Sequence, residues 1–213
     1  MTHFIFDCDD VLLDWQSGFT NYLHGRGIHP DPAGPSDWDL SIWIGCSPLF
    51  ARQLVEDFNS TRGFAHLEPM PGMKEALWCL HDAGHDISVL TCCGDSPRRC
   101  RDRIGNLYRA FGRFPDKSSY YMETPWRSED VVILPLGASK LESLREAKTW
   151  RGDPVFIEDR FVYAREGVSL GIETICLRRG HNRKDEAASA GSGVIWADDL
   201  LPLLNHYAPG WAA

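Results

Sequence analysis

Five short runs of this chain are almost wholly apolar: HFIFD at 3–7, DISVLT at 86–91, VVIL at 131–134, PVFIE at 154–158 and IETICL at 172–177. They are rich in β-branched and aromatic residues and do not alternate with polar ones. A strand with one face in water would alternate, so these runs predict strands covered on both faces. Between them, apolar positions recur at helical spacing. Residues 72–83 (GMKEALWCLHDA) end at Gly84, a helix stop signal, and residues 95–111 open with Asp-Ser-Pro, a start signal. Residues 139–148 and 161–168 are shorter candidates. Strands alternating with helices predict an α/β fold with a doubly wound parallel sheet.

One stretch breaks the rhythm. Residues 15–69 contain no convincing strand run; they predict helices over 15–25 and 48–59, separated by HPDPAGPSDWD. The pattern reads as a small helical lobe, 15–69, inserted into a core formed by 1–14 and 70–213. Residues 112–130 form a long connection whose YYM, at 120–122, is an edge-strand candidate.

Composition narrows the classes. Apolar content of 43% and charged content of 24% suit a folded soluble chain. A net charge of −8 argues against a nucleic-acid polymer or an acidic membrane as partner. No apolar stretch approaches the roughly 18 residues of a membrane span, and the seven scattered cysteines form no CxxC pair. Reduced thiols, a cytoplasmic location and a monomer or homodimer are the expectations.

Chemistry is sought where the strands end, because ligands of open parallel sheets bind at the carboxyl ends of strands. The first run ends in Asp7-Cys8-Asp9-Asp10, the second in Thr91, and the fourth in Glu158-Asp159. Lys140 opens a helix soon after the third run, with Lys117 and Lys148 as rivals. Crowded carboxylates are costly unless a cation neutralises them. Either these are ordinary acidic turns or they are parts of a site built around a metal ion.

FIFDCDDV, ISVLT, GASKLESL and VFIED, in this order, resemble the four motifs of the haloacid dehalogenase-like superfamily over nearly the whole chain. Many members carry a helical cap between the first and second motifs, where 15–69 lies. The resemblance implies Asp7 as nucleophile and Asp9 as acid/base. It implies Mg²⁺ held by Asp7, the Asp9 backbone carbonyl and Asp159, with Glu158 joining directly or through water. Lys140 and Thr91 would hold the phosphoryl oxygens, and Cys92 lies in the loop beside them. Asp10 is expected to face away and take no part. A dehalogenase lacks the second acid, so Asp9 favours phosphoryl transfer.

GFAHLEPMPGMKEAL, RRGHNR and WADDLLPLL further resemble the 5′(3′)-deoxyribonucleotidase family, which hydrolyses nucleoside monophosphates with Mg²⁺. The chain departs from that family in Thr91-Cys92-Cys93-Gly94 and in Glu158. Trp15 stands where the family places an aromatic that encloses the base. Phe19, Trp38, Trp43 and Phe64 are further candidates for stacking, or else form the core of the lobe. The implied function is a phosphomonoester hydrolase acting on a small phosphorylated substrate. The alternatives are a phosphatase of another metabolite, a phosphomutase and a non-catalytic phosphate-binding protein.

Overall fold

The computed structural model describes residues 1–114 and 122–208. The expected strands are present to within a residue at each end: β1 (His3–Phe6), β2 (Asp86–Thr91), β3 (Val131–Ile133), β4 (Val155–Glu158) and β5 (Glu173–Leu177). A sixth strand, β6 (Ile195–Ala197), joins the edge. It is short and partly exposed, and the apolar run that holds it, VIWA at 194–197, is not among the five runs read as strands. Every strand pairing is parallel, in the order β3-β2-β1-β4-β5-β6.

The absence of alternation in β1 has a direct cause. Phe4 and Phe6 pack into the larger apolar cluster, and Ile5 packs into a smaller one with Leu144, Phe156 and Ile172. Successive strand side chains point to opposite faces, so both faces of β1 are buried.

The helices are α1 (Trp15–Gly25), α2 (Leu40–Ile44), α3 (Pro48–Phe58), α4 (Met73–Asp82) and α5 (Pro97–Phe111). After β3 come α6 (Leu141–Arg151), α7 (Phe161–Ser169), α8 (Arg183–Ala188) and α9 (Leu201–Tyr207). α3 and α5 start alike: the Ser47 and Ser96 hydroxyls accept from Phe50 N and Arg99 N at 3.3 and 3.4 Å. Pro48 and Pro97 then fill the first helical position, where no N–H is needed. Gly72, ahead of α4, has φ 75°, and a Cβ there would meet Leu201 Cδ1 at 2.7 Å.

Among the described residues, no strand longer than a single bridge lies between β1 and β2. The helical stretch leaves and returns at one neck: Asp14 N donates to Glu68 O at 2.9 Å, and Met70 N to Leu12 O at 2.8 Å. Phe19, Phe58 and Phe64, from this stretch, join the same apolar cluster as Phe4. In the connection over 112–130, Arg113 and Glu123 form an antiparallel bridge. Lys117, Tyr120 and Tyr121 lie outside the described residues, and so does most of the edge strand expected from YYM. No helix among the described residues is long and apolar enough to cross a membrane.

The sheet winds outward from β1 to β2 and β3, then crosses back to β4 on the other side of β1. The carboxyl ends of β1 and β4 therefore flank the crevice where the winding reverses, the usual ligand position in such sheets.

Candidate active site

Asp7 follows β1 directly and is buried; its N–H donates to Ile157 O at 2.9 Å, tying it to β4. Lys140 caps the start of α6 and is fully buried. Its Nζ lies 2.5 Å from Asp7 Oδ1 and 2.6 Å from Glu158 Oε2. Burial alone would lower the Lys140 pKa, but the Asp7 and Glu158 carboxylates reverse this and raise it. Lys140 is therefore a permanent cation. The rival Lys148 donates to Leu170 O at 2.6 Å, away from these acids.

Glu158 has partners for both oxygens: Oε2 faces Lys140, and Oε1 accepts from Arg160 N at 3.1 Å. Asp7, Glu158 and Asp159 each offer an oxygen within 4.8 Å of the others, and all three are buried. Burial, and next the Asp7 charge, push Glu158 well above the usual carboxylate range and Asp159 to about 7. One lysine does not neutralise three clustered carboxylates. The donor set is all oxygen and anionic, which fits a hard divalent cation such as Mg²⁺ and does not suit zinc or copper.

Asn182 sets the Asp159 loop. Its Nδ2 donates to Asp159 O at 2.6 Å and Leu177 O at 2.7 Å, and its Oδ1 accepts from Arg179 N at 2.9 Å. The neighbouring His181 Nε2 sits 3.0 Å from Asp159 Oδ2 without meeting hydrogen-bond geometry. Burial pushes the His181 pKa down to about 4, so the ring is neutral near pH 7. The sequence marked this pair only through the RRGHNR resemblance.

Asp9 reaches the same cavity and is held from behind by Arg103 of α5. Arg103 Nη2 lies 2.6 and 2.8 Å from the two Asp9 oxygens. Burial raises the Asp9 pKa, and Arg103 opposes that rise. Arg103 was not anticipated, since α5 carries several arginines. The available signal was its place, in helical register, on the buried face with Asn106, Leu107 and Ala110.

The expectation for Asp10 is corrected. Asp10 does not face away; it lines the cavity, and burial and then Asp159 push its pKa up to about 8. The cause lies in the backbone: φ is 57° at Asp10, and its carbonyl accepts from Arg179 Nε and Nη2 at 3.0 and 2.8 Å. That left-handed turn swings the side chain toward the crevice, where Oδ1 also accepts from Gln16 N at 2.9 Å.

These acids open onto a cavity of about 380 Å³. Thr91 and Cys92 line one side, and Cys92 Sγ donates to Ala138 O at 3.4 Å. Burial pushes the Cys92 thiol up to about 11, so it stays protonated. Trp15, Trp38 and Arg52 line the side formed by the helical stretch. Trp15 is a fixed wall: it stacks on Phe19 at 4.7 Å, and its Nε1 donates to Asn59 Oδ1 at 3.2 Å. Trp38 packs against His181 at 4.1 Å and under the Arg160 guanidinium at 4.9 Å. Phe19, Trp43 and Phe64 are buried in the apolar cluster and do not line the cavity.

No protein-family model and no curated protein matches the chain. Solved structures do. A haloacid dehalogenase-like family hydrolase from Streptococcus pneumoniae superposes with a TM-score of 0.60 at 15% identity, covering 97% of this chain and 98% of that one. A predicted phosphatase from Clostridium acetobutylicum gives 0.61 at 17% identity over 96% and 97%. A HAD family hydrolase from Deinococcus radiodurans R1, with bound phosphate and sodium, gives 0.56 at 19% over 97% and 95%. At these identities the likeness shows the architecture, which is that of the haloacid dehalogenase-like fold.

Proposed function

We propose that this protein is a Mg²⁺-dependent phosphomonoester hydrolase that works through an aspartyl-phosphate on Asp7. The carrying observation is the cluster of Asp7, Glu158 and Asp159 lining the cavity, with Lys140 buried against Asp7 and Glu158, and Asp9 lining the same cavity. The phosphate held by the Deinococcus radiodurans neighbour supports the same reading.

In this reading Asp7 Oδ attacks phosphorus, the bond to the leaving oxygen breaks, and Asp9 gives that oxygen its proton. Water then attacks the acyl phosphate, Asp9 takes the water's proton, and inorganic phosphate and free Asp7 result. Lys140 and the Thr91 hydroxyl hold the phosphoryl oxygens as charge builds on them. Asp7, the Asp9 carbonyl and Asp159 would hold Mg²⁺, with Glu158 anchoring Lys140. Bound there, the ion cancels the repulsion between an anionic nucleophile and an anionic phosphate.

Residues 15–69 act as a cap over the leaving group. Trp15 and Trp38 line the cavity, and an indole can stack on a nucleobase, a contact worth roughly 1–3 kcal/mol per base. The substrate we propose is therefore a nucleoside monophosphate. A panel of deoxy- and ribonucleoside monophosphates against sugar phosphates, with Mg²⁺ and phosphate release as the readout, tests this. Preference for sugar phosphates overturns the nucleotidase reading. Phosphate moved within the substrate, and not released, points to a mutase.

A further inference from the structure

We infer that Arg103 is the positioning residue for Asp9 and serves the proton transfer to the leaving group; this rests on Asp9 being the acid/base of the proposed reaction. Arg103 is fully buried, and it is the largest fully buried side chain among the described residues. Removing a guanidinium from water is expensive, and an apolar side chain would pack the same space more cheaply. Its contacts say what holds it there. Nη2 straddles the two Asp9 oxygens at 2.6 and 2.8 Å, and Nη1 lies 3.2 Å from Cys8 Sγ, between the two proposed catalytic acids.

The arrangement fixes Asp9 from one side only. No other hydrogen bond reaches the Asp9 carboxylate among the described residues, yet its side chain stays 26% exposed and lines the cavity. Arg103 therefore sets the carboxylate's position while leaving an edge free for substrate. The mount itself is rigid. The guanidinium lies 4.2 Å over the Phe64 ring, at the returning limb of the helical stretch. Three residues further along α5, Asn106 clamps that limb through Leu67 N at 3.0 Å and Leu67 O at 2.9 Å. A hydrogen-bond donor misplaced by an ångström loses much of its catalytic effect.

A positioning role and a merely structural one differ in what they do to different leaving groups. A nitrophenolate departs without a proton, whereas an alkoxide needs one from Asp9. The test is the single-turnover rate of phosphoenzyme formation with Mg²⁺, for p-nitrophenyl phosphate and for an alkyl phosphate, in wild type, Arg103→Lys and Arg103→Met. Thermal melts are taken alongside, and Arg103→Lys, which keeps a cation in place, carries the comparison where the methionine variant does not fold. The expected result is a loss about tenfold or more greater for the alkyl ester than for the aryl ester, with lysine restoring part of it. Equal losses for both esters in folded protein overturn the positioning role and leave the phosphohydrolase reading standing. A wild type that reacts with neither ester overturns both.

Discussion

The Lys140 ammonium lies 2.5 Å from Asp7 Oδ1, across 133 residues of sequence, and its other close partner is Glu158 at 2.6 Å. The contact serves two purposes. In the proposed reaction it neutralises the Asp7 nucleophile before substrate binds, then turns to a phosphoryl oxygen while Glu158 still holds it. Replacing Lys140 with Met should lower turnover by about 10²–10³, the range for losing one charge-stabilising donor. It should also destabilise the metal-free protein by about 3–5 kcal/mol, as expected when one partner of a buried pair is removed. Steady-state rates and urea melts with and without Mg²⁺ check both, and Mg²⁺ should recover part of the stability.

The raised carboxylates predict a pH dependence with a definite sign. Asp159 and Asp10, pushed by burial to about 7 and about 8, have an ordinary value of 3.8 in the unfolded chain. The folded state therefore keeps protons that the unfolded state has released. That contribution is present below the unfolded value and is lost as pH rises through 7 and 8. His3 and His181, both lowered to about 4, act in the opposite sense, but mainly below pH 6.5. Metal-free protein should melt lower at pH 8 than at pH 6.5. Mg²⁺ should remove most of that fall, because it binds the ionised cluster. A thermal melt series at the two pH values, with Mg²⁺ or EDTA, gives the comparison.

Asn182 ties the loops after β4 and β5 together, so its loss should be felt at the proposed metal site. Asn182→Ala leaves the Asp159 and Leu177 carbonyls without their donor, at a cost of about 1–3 kcal/mol. Mg²⁺ affinity should weaken by about 10–100-fold, the usual effect of cutting a support behind a ligand. Calorimetric titration of Mg²⁺ into the variant measures it directly.

Arg52, on α3, lines the cavity, and its guanidinium makes no hydrogen bond or ion pair among the described residues. A free cation on the cavity wall is placed to meet the proposed substrate before and after chemistry alike. Arg52→Ala should raise KM about tenfold and leave kcat nearly unchanged, the pattern of uniform binding.

Much of this architecture was readable because it depends on patterns that burial enforces. β1 lacks alternation since Phe4, Ile5 and Phe6 are buried on both faces, and Asp7 follows it into the crevice. β6 is not among the expected strands although VIWA, at 194–197, is apolar: a run that short, partly exposed at the sheet edge, is not told from a loop or helix segment by period alone. Asp10 was misread because side-chain direction in a turn depends on φ, and a left-handed aspartate leaves no trace in composition. Arg103 and Arg52 were missed for a related reason. Whether an arginine lies buried beneath an acid or free in a cavity depends on contacts distant in sequence, such as Arg103 with Asp9, 94 residues apart.

Acid quenching during turnover of a phosphomonoester with Mg²⁺, followed by peptide mapping, tests the nucleophile most directly. The expected result is one phosphoryl group on the peptide that carries Asp7. It should be absent from Asp7→Asn, which should remain folded and release no phosphate. Phosphate release by Asp7→Asn at the wild-type rate would contradict Asp7 as the nucleophile.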